Sequence, residues 1–148
     1  MSYHEKQAIV SMISSVLITL IYSVYVFQKY LAGNEDLLLD LRFWGWAFLA
    51  FILVSIVAKI IITIAFTIHY RITTKEEEPS FSDERDQLIE LKATRNSSYA
   101  FSIGVVLSMA WLVIGMPLYV MFTLLIYSGL AASVVDDITQ FYLYRRGF

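Results

Sequence analysis

Four long runs of apolar residues alternate with shorter polar stretches along this chain. The runs cover residues 8–27, 43–68, 97–115 and 118–140. About 20 apolar residues in a helix are enough to cross the roughly 30 Å hydrocarbon layer of a bilayer. The pattern therefore predicts an all-α fold, a transmembrane four-helix bundle with antiparallel spans, in which residues 1–148 form a single membrane domain. The first run is longer than the apolar core of a signal peptide, and no Ala-x-Ala-like site follows it, so we expect it to remain as a helix.

One polar stretch, residues 69–96, is long enough to carry structure of its own. Residues 76–79 are expected to end the preceding helix, and Ser82 is the expected N-cap of the next one. No helix-breaking residue follows before Gly115. The sequence thus predicts that the third span is extended into the cytoplasm as one continuous helix.

Small and hydroxyl-bearing residues recur every four positions within the spans, which places them on single helix faces. Such faces let helices approach one another closely, and we expect the third and fourth spans to form a homodimer through them. The lining of a pore is the alternative explanation. The hydroxyl stripes are Ser11, Ser15, Thr19 and Ser23 in the first span and Ser55, Thr63 and Thr67 in the second; the small residues are Ala100, Gly104, Ser108, Gly129, Ala132 and Ser133.

The composition of the chain agrees with a membrane location, and the distribution of its charges predicts the orientation of the spans. With 58% hydrophobic and 16% charged residues, the chain has too little polar surface for a soluble globule, so the lipid bilayer is its first predicted partner. Lys and Arg concentrate on one side of the spans, which predicts that both termini are cytoplasmic. Those residues are Lys6, Arg71, Lys75, Arg85, Lys92, Arg95, Arg145 and Arg146, against Lys29 and Arg42 on the other side.

Lys59 is the one charge well inside a predicted span, and an ammonium there costs about 2.5 to 3.5 kcal/mol on insertion scales. At 1.5 Å per residue, Lys59 lies about 24 Å and Asp136 about 28 Å along their helices from the same side of the membrane. We therefore predict an intramembrane charge pair between Lys59 and Asp136 or Asp137. A structural ion pair, or a lysine that reaches the headgroups, is the favoured explanation. A titratable pair on a proton or ion path is the functional alternative.

The helix at residues 82–95 is the predicted site for a soluble partner. Its acidic face, with spacing i, i+3, i+7, is expected to be solvated, with a divalent cation or a basic partner as alternatives. Leu88 and Leu91 are expected to dock on the bundle or on another protein. The predicted partner-binding residues are Asp83, Glu84, Arg85, Asp86, Glu90, Lys92 and Arg95.

No arrangement of residues typical of catalysis is present in the sequence. Cysteine is absent, and His4 and His69 have no metal-ligand spacing, so no metal and no cofactor are predicted. We see no activated nucleophile and no glycine-rich phosphate loop, so we predict that the chain is not an enzyme. The net charge of −2 gives no reason to expect direct nucleic-acid binding.

Several short segments resemble a known family. They are EEEPSF at 76–81, DERD at 83–86, IELKATR at 89–95 and YRRG at 144–147. The chain resembles an uncharacterised family of small prokaryotic four-span integral membrane proteins. The resemblance implies a location in the prokaryotic cytoplasmic (inner) membrane. It implies no activity, but genes of this family neighbour helix-turn-helix regulators, which suits a membrane protein that senses a signal or tethers a regulator.

These features favour three functional hypotheses in a definite order. The leading one is a non-enzymatic regulatory protein that docks a cytoplasmic regulatory partner through the helix at 82–95. The alternative is a small homodimeric transporter or channel that uses the intramembrane Lys/Asp pair. Small multidrug exporters have a similar size and number of spans, but they use a carboxylate in the first span, and this first span has none. An intramembrane enzyme ranks third.

Overall fold

The computed structural model describes residues 1–75 and 83–147, and within these ranges it contains helices and no strand. Helix α1 spans Tyr3–Val26 and continues into a π-helical turn at Phe27–Leu31; the short α2 spans Glu35–Leu38. The remaining helices are α3 at Leu41–Thr74, α4 at Glu84–Val113 and α5 at Leu118–Arg146. The predicted all-α fold is confirmed.

Four of these helical segments are long and apolar enough to cross a membrane: Tyr3–Leu31, α3, α4 and α5. The chain is therefore a multi-pass membrane protein. With 34 residues, α3 is about 51 Å long, which exceeds the hydrocarbon thickness and requires a tilt or a projection beyond the membrane. We call the end of the bundle that carries both termini the terminal end, and the opposite end the loop end.

The predicted continuity of the third span is confirmed, because α4 runs from Glu84 to Val113 without interruption. The predicted N-cap, Ser82, lies outside the described residues, as do the other residues of 76–82. The cap that the structure shows is Asp83, whose side chain accepts from the Glu84 backbone, and Asp86 completes a capping box. At the loop end, Gly115 adopts a φ of 91°, which glycine tolerates and which lets α4 turn directly into α5.

The bundle is built around α1 and α5. Helix α4 packs along α5, α5 packs on α1, α1 packs on α3, and α3 meets α5 more lightly. Near the loop end the Tyr22 hydroxyl donates to the Ala47 carbonyl at 2.6 Å, which joins α1 to α3. Near the terminal end the hydroxyls of Tyr3 and Thr67 lie 3.2 Å apart and join the same two helices.

The ridge of small residues on α4 packs against α5 of the same chain. A methyl group added at Gly104 would collide with Cβ of Ser128 and lie 3.2 Å from its Cα. Ser108, one turn further, is completely buried. The ridge was predicted to contact a second copy, but the chain itself covers it. The homodimer stays a prediction, and Ser108 and the space beside Gly104 are not available to form it.

The first turns of α4 also pack on the bundle. Ile89 and Ala93 are completely buried, and the Asn96 amide lies 3.4 Å from the Thr139 hydroxyl of α5. Leu88 and Leu91 are not part of this contact, because 51% and 69% of their surfaces are exposed. The expectation that these leucines dock on the bundle is therefore wrong for the single chain. Docking on another protein stays a prediction.

Candidate functional site

A polar cavity of about 560 Å³ extends from the terminal end of the bundle into its interior. His4, Asp86 and Tyr144 border it at the terminal end, and Lys59 and Ser133 border it inside. Of its 18 lining residues, the ones without a polar group in the side chain are Ala8, Val10, Ile62 and Phe66. Such a lining is unusual among membrane-spanning helices, where polar side chains mark water-filled cavities or solute paths.

Lys59 forms the inner boundary of the polar cavity together with serines from two other helices. Its ammonium donates to the hydroxyl oxygen of Ser11 at 3.0 Å and to that of Ser133 at 3.1 Å. The Ser15 hydroxyl lies 3.0 Å from Ser133 and donates to the Ser11 carbonyl at 2.9 Å, so the Ser133 hydroxyl donates to Ser15. We call Lys59, Ser11, Ser15 and Ser133 the lysine–serine layer. It joins α1, α3 and α5 by side-chain hydrogen bonds.

The hydroxyl stripes of the first two spans explain why this layer forms. Hydroxyls four residues apart on α1 face the similarly spaced polar residues of α3, and the small Ser133 of α5 allows Lys59 to reach between the helices. The hydroxyls accept from the ammonium, which replaces part of its lost hydration. The sequence had marked the α1 stripe as a packing face but not as the environment of the lysine.

Three cavities follow one another along the interface of α1, α3 and α5. Beyond the lysine–serine layer lies a cavity of about 230 Å³, which Lys59 and Ser133 also border. It is mainly apolar, although the buried Ser55 hydroxyl has no hydrogen-bond partner among the described residues. A cavity of about 490 Å³ follows toward the loop end, bordered by Tyr22, Trp44 and Thr123. The layer therefore lies between the polar cavity and the second cavity, while the third cavity shares no lining residue with either.

The structure brings the three residues of the predicted charge pair to one cavity. Lys59, Asp136 and Asp137 all line it. Among the described residues, however, the ammonium contacts hydroxyls and not a carboxylate, while Asp136 accepts from the Gln140 amide at 2.8 Å. The pairing stays a prediction that the shared cavity supports.

Asp137 differs from the other acids of the cavity in its burial and in its hydrogen bonding. Only 6% of its surface is exposed, and its Oδ2 atom has no hydrogen-bond partner within residues 1–75 and 83–147. A buried carboxylate oxygen without a donor is costly, and such atoms call for an explanation such as an ordered water or a bound ligand. Asp137 had been considered only as a partner for Lys59.

Two residues of the predicted partner-binding helix also border the polar cavity. Asp86 and Glu90 border its entrance, so the acidic face of α4 is directed partly at the bundle. Asp83, Glu84, Arg85 and Arg95 are exposed, and Lys92 is half-buried. In the described part of the chain, no group of three or more His, Cys, Asp or Glu residues is placed to hold a metal ion.

The sequence did not predict the contact of His4 with Tyr144 at the cavity entrance. Their rings stack with centroids 4.6 Å apart and an interplanar angle of 8°, joining the first turn of α1 to the last turn of α5. His4 had been considered only as a metal ligand, and Tyr144 only as part of the segment at 144–147. The one feature of the sequence that could have indicated this contact is that both residues lie at the terminal end of predicted helices.

Comparison of the chain with protein-family models, with curated proteins and with solved structures finds no match. The resemblance described above therefore stays a prediction.

Proposed function

We propose that this chain is a small transporter or channel that takes up small polar solutes in the polar cavity and passes them along α1, α3 and α5. The observation that supports this most is the succession of three cavities, of which the first is polar and the first two meet at the lysine–serine layer. Polar groups are costly within a bilayer and are found there mainly along solute and ion paths. This was the alternative hypothesis from the sequence.

The proposal places the terminal end of the bundle in the cytoplasm. The excess of Lys and Arg at that end over Lys29 and Arg42 at the loop end supports this orientation. The polar cavity then opens to the cytoplasm. The resemblance to a prokaryotic family supports the inner membrane as the location.

In this proposal the lysine–serine layer acts as the barrier along the route. A solute in the polar cavity reaches the second cavity only after Lys59 leaves Ser11 or Ser133, because both cavities are bordered by Lys59 and Ser133. Exchange of a hydroxyl contact for one with the solute or with water requires little energy, since each hydrogen bond lost is replaced. The layer therefore opens without breaking an ion pair.

Solute flux into liposomes tests the proposal. We expect liposomes that contain the purified chain to swell in at least one of urea, glycerol or butylammonium chloride faster than empty liposomes. Ser133→Leu should lower that rate at least tenfold, because the larger side chain fills the passage between the two cavities. Ala131→Leu is the matched control, since Ala131 lies two residues away on the exposed face of α5. Swelling no faster than in empty liposomes, with helical protein present, contradicts the proposal.

Docking of a cytoplasmic regulatory protein on α4 remains the second candidate. It is supported by the exposure of Leu88 and Leu91 beside the charged residues of the first α4 turns, at the end proposed to be cytoplasmic. A photocrosslinking amino acid at Leu91 should capture one soluble protein in cells. The same group at Ile89, which is completely buried, should not. Equal capture from both positions, or from neither, contradicts this candidate.

A further inference from the structure

The charge of the polar cavity favours cations. Its lining includes four carboxylates, those of Asp86, Glu90, Asp136 and Asp137, against the single ammonium of Lys59. Counted formally with ionised carboxylates and uncharged histidine, the lining has three more negative than positive charges. A cleft lined by one sign of charge between walls of low dielectric concentrates solutes of the opposite sign. A cationic solute is therefore favoured over an anionic one.

The chain itself leaves one carboxylate oxygen of the cavity without a donor. Oδ2 of the buried Asp137 has no hydrogen-bond partner among the described residues. Asp136 accepts from Gln140, and Lys59 donates to two serines. A donor from outside the chain would satisfy the free oxygen and neutralise its charge.

The surroundings of Asp137 favour an organic ammonium over a metal ion. Ca²⁺ and Mg²⁺ take six or more oxygen ligands, and within residues 1–75 and 83–147 no three His, Cys, Asp or Glu side chains are grouped to hold a metal ion. A primary ammonium needs only acceptors for three N–H groups. Besides Asp137, the lining offers the hydroxyl oxygen of Ser14 and the amide oxygen of Gln140.

The apolar side chains of the lining suit a solute that also carries an alkyl group. Val10, Ile62 and Phe66 border the same cavity, whose volume of about 560 Å³ exceeds that of a short alkyl chain. We propose that the polar cavity binds a small alkyl primary amine in its protonated form, with the ammonium on Asp137 and the alkyl group against these apolar side chains. This inference rests on the proposed function and specifies the class of its substrate.

Binding of radiolabelled n-butylammonium at pH 7 tests this inference by equilibrium dialysis of the chain in lipid nanodiscs. We expect saturable binding that Asp137→Asn weakens at least tenfold, because the near-isosteric amide removes the charge. Asp36→Asn, at an exposed residue of the short helix α2 at the other end of the bundle, should leave binding unchanged. Absence of saturable binding, or equal binding by the Asp137→Asn variant, overturns the inference.

Competition on the unaltered chain keeps the test independent of how well that variant folds. Ethylammonium should displace the label, whereas butyrate and butan-1-ol should not, since one has the wrong charge and the other has none. Tetramethylammonium should displace it at least tenfold less well because it has no N–H group. Displacement by butan-1-ol as strong as by ethylammonium overturns the ammonium site. Permeation of urea or glycerol without butylammonium binding overturns the inference and leaves the proposed function in place.

Discussion

Gly104 shows how a single residue determines the approach of two helices. The space that its missing side chain leaves is occupied by Ser128, so α4 and α5 are in contact at their backbones. Gly129, on the same helix as Ser128, has no atom within 4 Å of the position of an added methyl group. The sequence placed both glycines among the packing residues, and it had no means of distinguishing them, since spacing along a helix does not reveal the distance to the neighbouring helix.

Gly104→Ala should therefore destabilise the bundle, whereas Gly129→Ala should not. Overpacking typically lowers the free energy of unfolding by about 1 to 3 kcal/mol, while Gly to Ala within a helix raises it by about 0.5 to 1 kcal/mol. At Gly104 the cost of overpacking exceeds the gain in helix stability, whereas at Gly129 there is no overpacking and only the gain applies. Thermal unfolding in detergent, followed by circular dichroism, measures the difference. Equal melting temperatures for the two variants are the result that contradicts the packing described here.

Lys59 is expected to be coupled electrostatically to one of the two neighbouring acids of α5. Asp136 already accepts a hydrogen bond from Gln140, so we expect Asp137 to be the acid that interacts more strongly with the Lys59 ammonium. Lys59→Met and Asp137→Asn should be non-additive in unfolding free energy by about 0.5 to 1 kcal/mol, within the range for residues that share a network. Lys59→Met with Asp136→Asn should be closer to additive. Additivity in both double-mutant cycles rules out the charge pair.

At the scale of helices, α4 differs most from its predicted role. The sequence correctly predicted one continuous helix, because it contains a capping signal at its start and no breaker before Gly115. It did not predict that Asp86 and Glu90 border a cavity, because that depends on where α4 lies against α5 and α1. Long-range helix packing is not encoded in local periodicity, so the acidic face was assigned to solvent.

The packing of the first α4 turns can be tested by hydrogen exchange. Ile89→Ala removes a completely buried side chain and should loosen residues 84–96 from α5, which raises amide exchange there several-fold. Leu88→Ala, at an exposed neighbour, should leave exchange unchanged. If the two variants exchange alike, the start of α4 is not held by Ile89.

At the scale of the whole molecule, the apolar runs were sufficient to predict four membrane-crossing helices, since the bilayer sets their length. The polar cavity was not predictable in the same way. It arises because hydroxyls of α1, Lys59 of α3 and acids of α5 meet in one space, and only their separate helix faces were visible in the sequence. We propose that this space holds water and opens to the cytoplasm.

Cysteine labelling tests that claim most directly, because the chain has no native cysteine. Ser11→Cys places a thiol inside the polar cavity, and Ile13→Cys places one two residues away on the exposed face of α1. We predict that a membrane-impermeant charged thiol reagent modifies Ser11→Cys in inverted vesicles but not in intact cells, and does not modify Ile13→Cys in either. Labelling of Ser11→Cys from outside the cell, or its absence in inverted vesicles, would contradict a water-filled cavity that opens to the cytoplasm.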